Sequence, residues 1–269
     1  MRFTLKPALV AAVVALLPVA ADAHRAWMLP SATVLSGEGQ WVTVDAAVSN
    51  DLFFFEHQPL RLEGLAVVDP TGAAAEAQNR ATGRYRSTFD VKLDKPGTWK
   101  LQVINAGLFA SWRENGQQKR WRGTAEALAR EVPENAENLR VTQSMGRMEV
   151  FVTVGKPTES VLKTTGKGLE MAPITHPNDL VAGQPASFRF LLDGEPRPDL
   201  KVTIIRGGIR YRDQLGELTA TTDAEGKLSV TWPEPGMYWI EASIRDDKTG
   251  LAQVKERRAS YTATLEVLP

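Results

Sequence analysis

The chain alternates short apolar runs with turns rich in Gly, Pro and Asp, a pattern that predicts β-strands rather than helices. In the first half, the runs predict strands over residues 40–48, 62–68, 87–93, 98–104 and 149–154. In the second half, they predict strands over residues 186–192, 201–206, 218–222, 227–232, 237–244 and 260–268. Many short strands with turns between them are typical of β-sandwich proteins.

One sequence pattern, a Pro-Gly turn between two predicted strands, occurs twice. A Pro-Gly turn at residues 94–97 separates two predicted strands, and a similar turn at residues 233–236 separates two others. Trp99 and Tyr238 stand at the same position after the two turns. We expect each turn to close an antiparallel hairpin. Two such hairpins so far apart in the chain favour two sandwich domains in tandem.

The predicted fold class is therefore all-β, with two tandem Ig-like or prealbumin-like β-sandwich domains. We place the N-terminal domain at residues 24–155, a Gly/Lys/Thr-rich linker at 156–168 and the C-terminal domain at 169–269. An insertion at residues 107–140 of the first domain is too long for a simple loop. It contains a short predicted helix that Thr124 caps and that ends before Pro133.

The first 23 residues have the features of an export signal. Arg2 and Lys6 give a positive start, residues 8–20 are apolar, and Ala21-Asp22-Ala23 is a small-residue cleavage site. We expect cleavage after Ala23 and a mature periplasmic protein that begins at His24. No later apolar run reaches the length that a membrane helix needs.

Composition excludes several classes of protein. The 269 residues include no cysteine, so disulfides, thiolate metal sites and a thiol nucleophile are all excluded. The formal net charge is zero, which is not the basic footprint of a nucleic-acid-binding protein. Phosphate-binding loops, a nucleophile elbow and zinc-protease motifs are not found, and a binding role is therefore favoured over an enzymatic one.

The histidines are the candidate metal ligands. A mature chain that begins at His24 offers its α-amine and its imidazole as a chelating pair, and one further imidazole completes a three-nitrogen site that suits copper or nickel. His57 follows an aromatic run and is the preferred second ligand. His176 stands beside a proline, and we expect it to be a turn residue. The sequence therefore predicts a metal site at His24 and His57.

The insertion supplies a second candidate site, at Trp112, Arg113, Arg120, Trp121 and Arg122. Tryptophan and arginine together bind anionic or aromatic groups through cation–π and bidentate contacts. The alternative is that the two Trp side chains anchor the insertion to the sandwich while the Arg side chains are solvated.

The N-terminus and several later segments resemble a known family. The matching segments are residues 24–31, 169–173, 193–196, 222–226, 235–239 and 257–262. Their order is similar to that of an exported bacterial domain-of-unknown-function family formerly labelled NikM-like, a nickel-uptake component. The resemblance implies a periplasmic protein of two β-sandwich domains that is associated with transition-metal uptake. Arg25 and Ala26 stand where that family usually has Asp and an aromatic residue, so no carboxylate neighbours His24.

These observations favour a periplasmic protein that binds nickel or copper and serves metal uptake. One alternative is a non-catalytic envelope module whose insertion binds a membrane transporter or an outer-membrane receptor. Another is a redox enzyme with a copper site of the histidine-brace kind. No nucleic-acid partner and no integral membrane segment are expected after processing.

Overall fold

A computed structural model describes residues 24–251 and 253–269. The predicted export signal at residues 1–23 lies outside the described residues. Within the described ranges, no helix combines the length and the apolar character that crossing a bilayer requires.

The described chain forms one α-helix, two short 3₁₀ turns at Ser160–Leu162 and Ile209–Tyr211, and nineteen strands. The strands of the first half are β1 Arg25–Pro30, β2 Val34–Leu35, β3 Gln40–Ser49, β4 Gln58–Pro59, β5 Leu65–Val68, β6 Ala74–Ala75, β7 Gln78–Thr82, β8 Ser87–Leu93, β9 Gly97–Glu114, β10 Gln117–Gly123 and, after helix α1 Ala125–Glu131, β11 Glu137–Val154. Those of the second half are β12 Leu169–Pro173, β13 Pro185–Leu192, β14 Glu195–Pro196, β15 Lys201–Arg206, β16 Leu218–Thr221, β17 Lys227–Thr231, β18 Gly236–Asp246 and β19 Glu256–Val267.

These strands form three sheets. The largest has the strand order β16-β15-β18-β19-β11-β9-β5-β6, with β10 paired to β9 and β2 paired to β11. A second sheet has the order β1-β3-β8-β7, with β4 also paired to β3, and a third contains β12, β13, β14 and β17. The all-β fold class predicted from the sequence is confirmed.

The largest sheet runs through both halves of the chain because β11 pairs in parallel with β19, from Thr142 opposite Glu256 to Val150 opposite Thr264. Alternate residues of a strand point to opposite faces of the sheet. On β11, Val150 and Val152 belong to the core under the second sheet, whereas Phe151 belongs to the core under the third. The two smaller sheets therefore cover opposite faces of one shared sheet. The division into two domains with a linker at 156–168 stays a prediction.

The two predicted hairpins are wrong as pairings. β8 pairs with β3 and β7 in one sheet, whereas β9 pairs with β11 and β5 in another. β17 and β18 are divided between sheets in the same way. Each Pro-Gly turn is an arch that carries the chain across the sandwich. Each arch contains an equivalent hydrogen bond. In the first, Trp99 Nε1 donates to Lys95 O at 3.0 Å, and in the second, Tyr238 OH donates to Glu234 O at 2.8 Å.

A buried ionic cluster lies where the two halves meet. Arg147 on β11 contacts Glu149 at 3.4 Å and Glu170 at 3.2 Å, and all three side chains are almost fully buried. Tyr261 on β19 donates its hydroxyl to Glu149 at 2.9 Å. The Glu170 carboxylate accepts hydrogen bonds from the backbone N–H groups of residues 165–167. This cluster fixes the chain between β11 and β12 to both halves.

Candidate functional site

The structure brings His24 and His57 together. Their ring centroids are 3.8 Å apart and the ring planes differ by 22°. His24 directly precedes β1 and His57 directly precedes β4, and both of these strands pair with the end of β3, where Ser49 faces Arg25 and Val48 faces Gln58. Two residues from separate segments therefore meet beside the end of one strand.

A small apolar cluster supports this pair. Trp27 is completely buried and donates its indole N–H to Ser49 Oγ at 2.8 Å. Phe53 and Phe55, from the segment that leads to His57, contact the Trp27 ring with centroid distances of 5.5 and 5.6 Å. Glu56 accepts hydrogen bonds from the backbone N–H groups of residues 50 and 51 at 2.7 and 2.9 Å. The segment before His57 is thus held by packing and by hydrogen bonds.

A cavity of about 420 Å³ opens beside His24. Its wall is formed by residues 24–26, and its floor is the face of β15, β18 and β19 that points away from the second-half core. Trp239 of β18 joins wall and floor, because its indole N–H donates to Ala26 O at 3.0 Å. The cavity therefore depends on the way that β1 lies across the shared sheet.

The cavity is lined by one carboxylate, that of Glu241, and by two guanidinium groups, those of Arg25 and Arg258. Burial raises the pKa of Glu241, and the Ser243 hydroxyl and the charge of Arg258 act in the opposite direction. Glu241 and Arg258 form no ion pair with each other or with any other group in the described ranges. Arg25 donates its Nη1 to Asn50 O at 2.8 Å, whereas Glu241 and Arg258 are the charged lining groups that have no close ionic partner.

The His24–His57 pair offers nitrogen ligands on exposed rings. In the part of the chain that the structure describes, no three His, Asp or Glu side chains cluster as a complete metal site. The two imidazoles therefore need at least one further donor. Cleavage after Ala23 would create one, because the α-nitrogen of His24 is then an amine instead of an amide.

The second predicted site is an arm built by β9, β10, α1 and the start of β11. Trp112 and Trp121 are partly buried against an apolar cluster that includes Leu108, Leu128 and Val254. Thr124 caps the helix, since its side chain accepts a hydrogen bond from Ala127 N. The two Trp side chains thus anchor the arm.

The arginines of the arm lie on its opposite face. Arg113, Arg120 and Arg122 are exposed, and the guanidinium of Arg122 lies 5.0 Å from the centroid of the Phe109 ring. Phe109 is itself 42% exposed and lies directly opposite Arg122 across the β9–β10 pair. The predicted Trp and Arg residues therefore do not form one mixed binding surface.

His176 lies away from the His24–His57 pair, in a partly buried polar cluster. Its Nδ1 accepts a hydrogen bond from Asn178 N at 3.1 Å, so the ring proton of the neutral form is on Nε2, which lies 3.0 Å from Thr98 Oγ1. Burial lowers the pKa of His176. Asn178 also bonds to Thr153 and to Phe151 O. His176 and Asn178 thus connect the second half to β9 and β11.

The family model described as Domain of unknown function (DUF4198) matches residues 21–246. The chain belongs to this family. A search of curated proteins gives no significant match.

Several solved structures are similar to this DUF4198 chain at low identity. The D0-D1 domain of intimin is 12% identical, with a TM-score of 0.22, over 90% of this chain and 97% of that chain. Trypsin-activated alpha-2-macroglobulin from Escherichia coli is 13% identical, with a TM-score of 0.25, over 92% of this chain but only 16% of that chain. A DUF4785 family protein from Legionella pneumophila is 10% identical, with a TM-score of 0.23, over 80% of this chain and 50% of that chain.

The sequence of this DUF4198 chain did not single out Glu241 or Arg258. Glu241 lies in the predicted strand 237–244, and Arg258 precedes the predicted strand 260–268. In the structure, the strands that carry them place Ile240 and Tyr261 in the core. Alternation along each strand places Glu241 and Arg258 on the opposite face, where polar residues are ordinary. The missing information was that β1 covers this face, which follows only from the tertiary structure.

Proposed function

We propose that this DUF4198 protein is exported and binds a transition-metal ion through His24 and His57 in the service of metal uptake. The observation that carries the proposal is the 3.8 Å separation of the two imidazole rings, which come from distant parts of the sequence. The two histidines adjoin paired strands, since β1 and β4 both pair with the end of β3.

Cleavage after Ala23 is part of the proposal. The His24 amine and imidazole then form one chelate, and the His57 imidazole adds a third nitrogen. Stacked rings direct their nitrogen lone pairs in parallel planes, so modest rotation of the exposed side chains is needed for both rings to reach one ion. Nitrogen donors favour Cu(II) over Ni(II) by the Irving–Williams order, and the metal in the cell depends on supply.

The first test compares two N-termini. Protein that begins at His24 with a free α-amine and the same protein acetylated at that amine are titrated calorimetrically with Cu(II) and with Ni(II). We expect acetylation to weaken binding at least about tenfold, because it keeps the imidazole but removes the amine as a donor. His57→Ala should also weaken binding. His176→Asn is the matched control, since both ring nitrogens of His176 are engaged within the protein. Equal affinities for the two N-termini would contradict the chelate.

A second candidate function, binding of a transporter or receptor in the envelope, is supported by the outward face of the arm. Arg113, Arg120 and Arg122 form an exposed basic surface around the exposed ring of Phe109. Arginine and aromatic residues are enriched where proteins bind one another, and clustered arginine favours an acidic partner. In this hypothesis, the arm binds the partner protein while the histidine pair binds the metal ion, and both serve metal uptake.

A charge-reversal variant tests the arm. Arg113, Arg120 and Arg122 are all changed to Glu, and the variant is assayed for its ability to restore growth of a deletion strain under metal limitation. We expect growth to be lost while the purified protein keeps its metal affinity and its melting temperature. Reversal of the exposed Lys92, Arg189 and Lys201 is the control and should leave growth intact. Full growth with the reversed arm would rule out this role.

A further inference from the structure

The floor of the cavity beside His24 is an ordered polar surface. Thr203, Glu241 and Thr262 lie directly opposite one another on three neighbouring strands, and Ser243 lies opposite Ser260 in the next row. On the other face of the same strands, Ile240, Ala242 and Tyr261 belong to the core. An outward polar face is normally solvated, but here residues 24–26 stand over it as a wall. The result is a concave site whose floor carries hydroxyl groups and two charges.

Glu241 lies in the middle of this floor without a cation beside it. Its neighbours across the strands are threonines, and Arg258 is near enough to influence the carboxylate but too far to form an ion pair. Burial without an adjacent positive group disfavours the charged carboxylate, which is why the pKa of Glu241 is raised. A positively charged group placed in the cavity would remove this cost.

Arg258 also has no ionic partner, although its side chain is exposed. Its chain neighbour Arg257 pairs with Asp193 and Asp246 at 2.6 Å, and Arg245, opposite Arg258 on β18, contacts Glu256 at 3.5 Å. Within the described ranges, Arg258 forms neither an ion pair nor a side-chain hydrogen bond. A guanidinium with free donors binds a carboxylate through two parallel hydrogen bonds.

We propose that this cavity binds a small zwitterion, whose ammonium group faces Glu241 and whose carboxylate faces Arg258, with the serine and threonine hydroxyls bonding to the part between. A purely anionic ligand would be repelled by Glu241, and a purely cationic one by Arg25 and Arg258. The volume of about 420 Å³ lies in the range of small-molecule sites and suits an amino acid. The site is next to the metal ligands but does not require a metal.

The test uses a series of ω-amino acids, from glycine through 4-aminobutyrate to 6-aminohexanoate, titrated into protein that begins at His24. EDTA is present throughout, so that no metal contributes. Butylamine and butyrate each carry only one of the two charges. We expect one member of the amino acid series to bind at least about tenfold more tightly than either of these, because it alone satisfies both charged side chains. Equal binding of all compounds, or no binding of any, would overturn the proposal.

Variants identify the groups involved. Glu241→Gln and Arg258→Gln should each reduce affinity for the best amino acid at least about tenfold, because each removes one charge-assisted contact. Glu225→Gln and Arg61→Gln, at exposed positions elsewhere, should leave the affinity unchanged. Melting temperatures show whether each variant is folded. His57→Ala should retain amino acid binding even where it weakens metal binding, so the two proposals succeed or fail separately.

Discussion

Replacement of Arg147 by methionine should lower the free energy of unfolding by about 3–5 kcal/mol, because it leaves buried carboxylates without their partner. Arg147 is the side chain that both Glu149 and Glu170 contact, at 3.4 and 3.2 Å. Lys100 is 4.0 Å from Glu149 and compensates only one of the two carboxylates. Urea denaturation followed by tryptophan fluorescence measures the change.

The loss should depend on pH in a defined direction. Burial already raises the pKa of Glu149 above its ordinary value. A carboxyl whose pKa is higher in the folded state costs stability as pH rises from the unfolded value to the folded one. Loss of the Arg147 charge raises this pKa further. The deficit of Arg147→Met should therefore be larger at about pH 8 than at about pH 5.

Two further variants show whether charge is the cause. Arg147→Met combined with Glu149→Gln should be more stable than Arg147→Met alone, because the glutamine is neutral and its oxygen still accepts the Tyr261 hydroxyl. Arg189→Met changes an exposed arginine of β13 and should stay within about 0.5 kcal/mol of the parent. A loss below about 1 kcal/mol for Arg147→Met would mean that water, not Arg147, compensates these carboxylates.

The strands were predictable because their signal is local. The predicted runs 87–93 and 201–206 coincide with β8 and β15, and Thr124 caps the helix as its side chain and position suggested. Alternation and capping depend on neighbours in sequence, so these elements need no tertiary information.

The pairing of strands was not predictable from the same signals. The Pro-Gly segment before Trp99 has the residues of a hairpin turn, yet it forms an arch. The turn is packed against distant residues at Gly97, whose φ is +120° and where a Cβ would lie 2.7 Å from Pro70 and 2.9 Å from Thr158. Residues distant in sequence thus crowd this turn and define its path. The parallel pairing of β11 with β19 likewise joins segments more than a hundred residues apart.

The candidate site divides in the same way. The chemistry of imidazole and the predicted cleavage site indicate His24 and His57 as ligands, and the structure places their rings in contact. Glu241 and Arg258 have no distinguishing local pattern, and they share a cavity only because the first strand crosses the sheet of the second half. Residue type therefore indicates candidate chemistry, whereas enclosure depends on the fold.

Trp27 connects the fold to the histidine pair, and Trp27→Ala should reduce both stability and metal binding. The Trp27 side chain projects from β1 and is completely buried. It packs in one cluster with Phe53 and Phe55 and with Ile205 and Trp239 of the second half. Removal of a buried tryptophan costs about 3–5 kcal/mol. Without the indole, the segment before His57 loses its main apolar contact, and we expect metal affinity to fall to the level of His57→Ala.

A second buried tryptophan separates positioning from general loosening. Trp99 is 2% exposed and belongs to the core of the first half, not to the cluster that supports the His24–His57 pair. Trp99→Ala should therefore cost similar stability but keep metal binding. Trp41 is 45% exposed, and Trp41→Ala should change neither property appreciably. Unfolding curves and calorimetry on the three variants give both quantities. If Trp99→Ala weakens metal binding as much as Trp27→Ala, the histidines depend on overall stability and Trp27 has no special part in holding them together.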